Sequence, residues 1–374
     1  MDFIPVNEPI LDGNEKKYLC ECIDTGWISS EGPFVKKFEE KMAALVDRKY
    51  GISVANGTAA LEIAVAALDI KCGDEVIMPA FTIISCATAV VKRGGIPVLV
   101  DSNPLTWNMN VEEIEEKITK KTKAIMIVHI YGLPIDVDPV LELAQKYNLK
   151  IIEDAAEMHG QNYKGKPCGS FGDISIFSFY PNKHITTGEG GMILTNDEQL
   201  ADRCESLRNL CFQKDVRYVH EEIGYNYRFT NLQAAVGLAQ LEKIDKTIAR
   251  KREIGRLYTE LLKNKAKIQI PLENFNNEHN IYWVYGLVLN DDANINNREM
   301  VELLGRNGIG ARTFFWAIHE QPVFQKMGLF KGEKYPVAER LARKGFYIPS
   351  GLALKDEQIK EVVKRFNKVL EELN

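Results

Sequence analysis

Residues 51–78 read GISVANGTAALEIAVAALDIKCGDEVIM. The run at 51–54 is short and β-rich, the turn Asn56-Gly57-Thr58 interrupts it, and the Ala-rich stretch over 58–68 has the composition of a buried helix. Gly73-Asp74 breaks the chain again before a second β-rich run at 75–78. Strand, helix and strand in that order predict a βαβ unit, whose helical crossover makes the two strands parallel.

The same rhythm extends along the chain. Further β-rich runs lie at 97–100, 124–128, 150–153, 174–178 and 191–195, with helical stretches between many of them, as at 137–147. Most of these runs are continuously apolar, the mark of strands buried on both faces. The fold class is therefore α/β, with a doubly wound, mainly parallel sheet flanked by helices. Residues 231–262 read as one long helix, 281–289 as a strand, 298–307 as a helix closed by Gly308, and 356–373 as a terminal helix. The mixed charges over 112–123 read as a solvated helix face. A large α/β domain over 1–250 and a smaller α+β domain over 251–374 are expected.

Composition narrows the function classes. Of 374 residues, 45% are hydrophobic and 26% charged, ordinary for a globular enzyme, and the net charge of −5 argues against nucleic acid or an anionic membrane as a partner. MDFIPVNEPI at the N-terminus does not read as a secretion signal, and no apolar run is long enough to cross a bilayer. The seven cysteines show neither C-x-x-C nor zinc spacing. Free thiols of a cytoplasmic protein, and no metal, are expected.

Binding loops of such a sheet gather at the carboxyl ends of the strands. There stand residues 56–58, Asp101, His129, Asp154 and Ser178. Lys183, in SFYPNKHITTGEGGMILTND (178–197), lies between an apolar strand and a glycine-rich turn. It is either a desolvated amine able to form a Schiff base or a solvated loop lysine. Asp154 in KIIEDAAEMHG either binds a protonated pyridine nitrogen or caps a helix. The helix start at Gly57-Thr58 suits a phosphate monoester or is a plain cap; it is no Walker loop. Taken together, a phosphate cradle, a ring-nitrogen partner and a covalent lysine follow one another on consecutive elements.

These motifs, with the segments DTGWISSEGPFV, HIYG and GYNYRFTNLQAAVGLAQLE, resemble the DegT/DnrJ/EryC1/StrS family of sugar aminotransferases over nearly the whole chain. The resemblance implies the fold-type I, aspartate aminotransferase-like architecture. It also implies pyridoxal 5′-phosphate as cofactor, with pyridoxamine phosphate as the form between two ping-pong half-reactions. Lys183 would be the Schiff-base lysine and general acid/base, and Asp154 the pyridinium partner. Gly57, Thr58 and Ser178 would hold the phosphate. Asn226 would reach the phosphate of a neighbouring subunit, implying a homodimer with shared active sites.

Ile83 stands where relatives stack an aromatic ring on the cofactor. Glu157 stands where many carry Gln, and points to the branch that moves the amino group of L-glutamate to C4 of GDP-4-keto-6-deoxy-D-mannose. Asn280 and the strand Arg312-Thr313-Phe314-Phe315-Trp316 depart from that branch. Alternatives are a UDP- or dTDP-linked 4-keto-6-deoxy hexose, a 3-keto sugar, and a non-catalytic binding protein on the same fold. The related 3-dehydratases carry His in place of the lysine.

Trp27 and Ser29 match the family's substrate loop, though Trp27 alternatively anchors the core. His129 is either a substrate contact or a structural histidine, while His184 reads as structural. Arg228 and Arg312 either neutralise a diphosphate or make ordinary salt bridges.

Overall fold

A computed structural model describes residues 2–372 apart from 214 and 217. Two helices, α1 (Glu15–Thr25) and α2 (Pro33–Leu45), precede the strand–helix–strand unit, which forms as β1 (Tyr50–Val54), α3 (Gly57–Ala67) and β2 (Glu75–Pro79). The large part continues through α4 (Ile84–Lys92), β3 (Ile96–Val100), β4 (Thr122–Val128), α5 (Val137–Tyr147) and β5 (Lys150–Asp154). After a hairpin of β6 (Asn162–Tyr163) and β7 (Lys166–Pro167) come β8 (Ile174–Ser178), β9 (Gly191–Thr195) and α6 (Glu198–Arg208). The seven-stranded sheet has the order β1-β9-β8-β5-β4-β2-β3. The pairs from β3 through to β8 are parallel, and β9 runs antiparallel to both of its neighbours. The expected mainly parallel sheet is present, with one reversed strand.

The apolar runs are explained by what the strands touch. Ala124, Met126 and Val128 enter one core cluster, whereas Ile125 and Ile127 enter the cluster on the opposite face. Because successive side chains alternate sides, a strand with a core on each face needs apolar residues at every position. The charged run after residue 111 departs from expectation. It forms two 3-10 turns, Val111–Glu113 and Glu115–Lys117, and the chain then enters β4 directly. At that entry Thr119 and Thr122 both donate to Glu75, which pins the segment to the sheet.

The expected long helix over 231–262 is two helices, α7 (Asn231–Leu241) and α8 (Ile244–Leu262). The break is held from the N-terminal segment. Asn14 and Tyr18 donate to Glu242, while Lys243 pairs with Asp12 and Glu15. Beyond it a four-stranded sheet has the order β10 (Ile268–Gln269), β13 (Tyr285–Leu289), β15 (Gly345–Ile348), β14 (Arg312–Thr313). The hairpin β11 (Asn274–Phe275)–β12 (Glu278–His279) precedes β13. Helices α9 (Asn297–Arg306), α10 (Pro322–Lys326), α11 (Pro336–Lys344) and α12 (Asp356–Glu372) cover this part; Leu373, the expected end of the last helix, lies outside the described residues.

The division anticipated near residue 250 falls inside α8. Ile4, bridged to Ile309, joins the core cluster of the C-terminal part. The strand expected over 281–289 begins only at Tyr285, because Tyr282 takes a left-handed φ of 50° and turns the chain first. Among the described residues, no helix is long and apolar enough to cross a membrane.

Candidate active site

A cavity of about 680 Å³ opens at the carboxyl ends of β4, β5 and β8. Gly57, Thr58, Ile83, Asp154, Glu157, Ser178 and Lys183 all line it, so seven of the expected site residues are brought together.

The loop between β8 and β9 turns at Tyr180, whose carbonyl accepts from the N–H of Lys183 at 2.9 Å. That turn sends the lysine side chain inward, where it is only 9% exposed and its Nζ lies 3.5 Å from Oε1 of Glu157. Glu157 is held in turn by the N–H of Tyr131, which donates to Oε2 at 2.7 Å. Burial draws the Lys183 ammonium below its ordinary value and pushes Glu157 up to about 7, each opposed by the charge of the other. Burial thus makes the ammonium easier to deprotonate, as an amine that must act as a nucleophile requires.

Asp154 ends β5 and is buried. Its Oδ1 accepts from the N–H of Ala156 at 3.0 Å and its Oδ2 from the thiol of Cys86 at 3.3 Å. Burial raises its pKa, against the hydrogen bonds from Ala156 and Cys86 and the charge of Lys183. A cationic partner in the cavity would relieve that cost, which a protonated pyridine nitrogen does.

The N-terminus of α3 meets the same cavity. Asn56 caps it, its side chain accepting from the N–H of Ala59 at 2.8 Å. The first-turn amides of Gly57 and Thr58 have no carbonyl four residues back to bond, and the helix dipole there favours an anion. A Cβ at position 57 would stand 2.9 Å from Cβ of Ser178, so the absence of a side chain permits this close approach. The Thr58 and Ser85 hydroxyls lie 2.8 Å apart on the cavity wall. Donors for a phosphate, a carboxylate for a ring nitrogen and a buried amine therefore fit pyridoxal phosphate. Ile83, 41% exposed at the start of α4, offers an aliphatic edge to the cavity.

Other expected residues lie elsewhere. His129 is a correction. Its ring is fully buried, Nδ1 accepts from the N–H of Ile135 at 3.2 Å, and Nε2 therefore carries the proton donated to Glu153 at 3.0 Å. Both nitrogens being engaged, it is not available to substrate. Asp101 likewise reaches the strand end but caps α11, accepting from the N–H groups of Val337 and Ala338. Trp27 is 49% exposed, which rules out the core-anchor reading, and neither it nor Ser29 lines the cavity of its own chain. Their carbonyls accept from Asn231, on the side chain and the backbone respectively.

Asn226 is exposed, bridged to Asn209, and also outside the cavity. Arg228 donates to the Asn209 side chain at 2.8 Å. Arg312 lines a smaller adjoining cavity of about 280 Å³ that shares Tyr180, Asn182, Trp283 and Tyr347 with the main one. Asn280 is buried and serves its own loop, its Oδ1 accepting from the N–H of Tyr282 at 2.6 Å.

Several wall residues escaped sequence reasoning: Ser85, Tyr180, Trp283 and Tyr347. Ser85 and Tyr180 carried a signal, each lying within two or three residues of an expected site residue. The other two arrive from the C-terminal part, and no local pattern marks them. Phe315, in the segment 312–316 singled out from the sequence, also lines the wall. Trp283 is the most intimate, with Nζ of Lys183 3.6 Å from the centroid of its ring.

Comparison with known proteins agrees with this geometry. The chain is 44% identical to a GDP-perosamine synthase of Escherichia coli O157:H7 over 367 residues, 98% of each chain. It is 41% identical to a GDP-perosamine synthase of Caulobacter vibrioides over 368 residues, again 98% of each. Among solved structures it resembles the aminotransferase from Psychrobacter cryohalolentis, with a TM-score of 0.90, 29% identity and 99% of each chain covered. The profile of the DegT/DnrJ/EryC1/StrS aminotransferase family matches residues 9–367, and the chain belongs to that family.

Proposed function

We propose that the protein transfers the amino group of L-glutamate to C4 of GDP-4-keto-6-deoxy-D-mannose, giving GDP-perosamine, with pyridoxal phosphate as the carrier. The observation that carries the reading is the convergence of a buried amine, a buried carboxylate and a helix N-terminus on one cavity. The names of the relatives support the choice of sugar and nucleotide.

When bound, the cofactor ring supplies an electron sink for the pair left behind as a proton leaves carbon. The protein's own residues do the rest. The Asp154 carboxylate would accept from the ring nitrogen and keep it protonated. The Gly57 and Thr58 amides and the Ser178 hydroxyl would donate to the phosphate. Nζ of Lys183 would hold the cofactor covalently at rest. As a free amine, Nζ would take the proton from the substrate carbon bearing the amine and return one in the reverse half-reaction. Oε1 of Glu157 lies 3.5 Å from that Nζ.

The reading further includes a homodimer in which Asn226 serves the neighbouring subunit's cofactor phosphate, consistent with its exposure outside its own cavity. Trp27, Ser29, Arg228 and Arg312 are the proposed nucleotide-sugar contacts. A cytoplasmic location accords with seven unpaired cysteines.

The test is an amino-transfer assay with L-glutamate against the GDP-linked 4-keto sugar and its dTDP- and UDP-linked counterparts, read by product mass. Preferred turnover of the GDP substrate is expected. Turnover of another nucleotide alone would keep the aminotransferase and overturn the sugar assignment.

A further inference from the structure

We propose that Trp283 is a positioning residue for Lys183, holding the amine over its indole face whenever the lysine is not bonded to the cofactor. The proposal rests on the reading of Lys183 as the Schiff-base lysine.

Two contacts hold the free amine. Nζ lies 3.6 Å from the centroid of the Trp283 ring and 3.5 Å from Oε1 of Glu157. The indole also fixes the residue before the lysine, since its Nε1–H donates to the Asn182 carbonyl at 2.9 Å. Trp283 is itself tied down. Its carbonyl accepts from Nζ of the buried Lys251 at 2.9 Å, and that Nζ also donates to the Ser350 carbonyl at 2.6 Å. The left-handed turn at Tyr282 delivers the ring into the cavity. One aromatic side chain thus clamps both the backbone and the amine of the lysine loop.

The chemistry explains why an aromatic face suits this place. A ring quadrupole attracts an ammonium most strongly where water is excluded. It does so without accepting the proton, so the amine remains free to exchange it with substrate. The other groups facing Lys183 do not substitute for it. Glu157 and Asp154 are the carboxylates whose charges act on it. His159 is held down to about 3 by burial, and burial likewise holds His184 well below the ordinary imidazole value, with Lys251 and Arg252 adding to the effect. Both imidazoles are therefore neutral near pH 7. Tyr347, from the second sheet, is pushed up to about 12 by burial and is neutral too.

The test uses the full-length protein loaded with pyridoxamine phosphate, the form that leaves Lys183 free. Competitive labelling with acetic anhydride, read by mass of the Lys183 peptide, follows its titration. In Trp283→Leu the midpoint of Lys183 should fall by about one pH unit, because an apolar wall remains and the attraction for the ammonium is lost. In the same variant kcat should fall roughly tenfold, with KM for glutamate changed less than about twofold.

Trp283→Phe keeps a weaker ring face and should lie between the two in both readouts. It carries the test if the Leu variant does not fold. Unchanged midpoint and kcat in whichever of these variants folds would overturn the proposal, as would a Phe variant no better than Leu. Borohydride reduction of the wild type with pyridoxal phosphate must tag Lys183. A tag elsewhere overturns the reading of the lysine together with this inference, whereas a tag on Lys183 with an unresponsive Trp283 overturns this inference alone.

Discussion

Asp154 and Glu157 are two buried carboxylates three residues apart, and their surroundings assign them different work. Asp154 spends its oxygens on Ala156 and Cys86 and faces the cavity without a cation in hydrogen-bond contact among the described residues. Asp154→Asn keeps the Ala156 contact and loses the charge that holds a ring nitrogen protonated. Its kcat should drop about a hundredfold or more, while the urea midpoint of the cofactor-free protein holds or rises, because a costly buried charge has gone. A variant that loses stability in step with activity would make Asp154 a structural cap instead. Glu157 carries a pH signature. Its folded pKa, about 7, lies above the ordinary 4.5, so the unfolded chain releases the proton first as pH rises. Its stabilising contribution is complete below pH 4.5 and is lost as pH rises through 7. Relative to Glu157→Gln, the cofactor-free wild type should therefore lose about 3 kcal/mol between pH 4.5 and 7.5. Urea unfolding of both proteins at the two pH values checks it, and a constant difference would show that Lys183 holds Glu157 ionised throughout.

At the scale of elements, the junction of α3 with β8 does most to shape the phosphate end of the cavity. Gly57→Ala improves helix propensity, yet it drives a methyl to 2.9 Å from Cβ of Ser178. Stability should change little, while the dissociation constant for pyridoxal phosphate rises about tenfold as Ser178 is displaced, the cost of one weakened hydrogen-bond donor. Equilibrium dialysis measures it, and an unaltered constant would separate Gly57 from phosphate binding. The same junction shows what a sequence discloses. Gly57, Asp154, Ser178 and Lys183 were legible because each sits where an apolar run stops, and runs of five or so apolar residues mark strand ends well. That rule places a residue at the right edge of the sheet without saying which way its side chain turns. His129 and Asp101 obey it and are consumed by Glu153 and by α11. The break between α7 and α8 was hidden because its partners, Asp12 to Tyr18, lie more than two hundred residues earlier. Trp283 was hidden for the same reason, since its neighbours Asn182 and Lys183 are about a hundred residues away and the turn at Tyr282 has no glycine to announce it.

For the molecule as a whole, the expected contacts divide by reach. Seven converge on the chain's own cavity, while Asn226, Trp27 and Ser29 lie on its exposed exterior. If those exterior residues complete the cavity of a second copy, each site needs Lys183 from one subunit and Asn226 from the other. Symmetry then makes a prediction that no single-chain site can imitate. Lys183→Ala and Asn226→Asp should each be strongly impaired alone, the second because a carboxylate would repel the cofactor phosphate. Unfolded together and refolded as a mixture, half of the dimers combine one chain of each kind. In these, one site carries both defects and the other carries neither. Activity should therefore return to about a quarter of the wild-type value, the share expected from random pairing of two chains. Recovery requires the chains to exchange, which mass measurement of the refolded dimers verifies. If mixed dimers form and activity stays at the level of the separate variants, Asn226 works within its own chain or not at all, and the site is not shared through it.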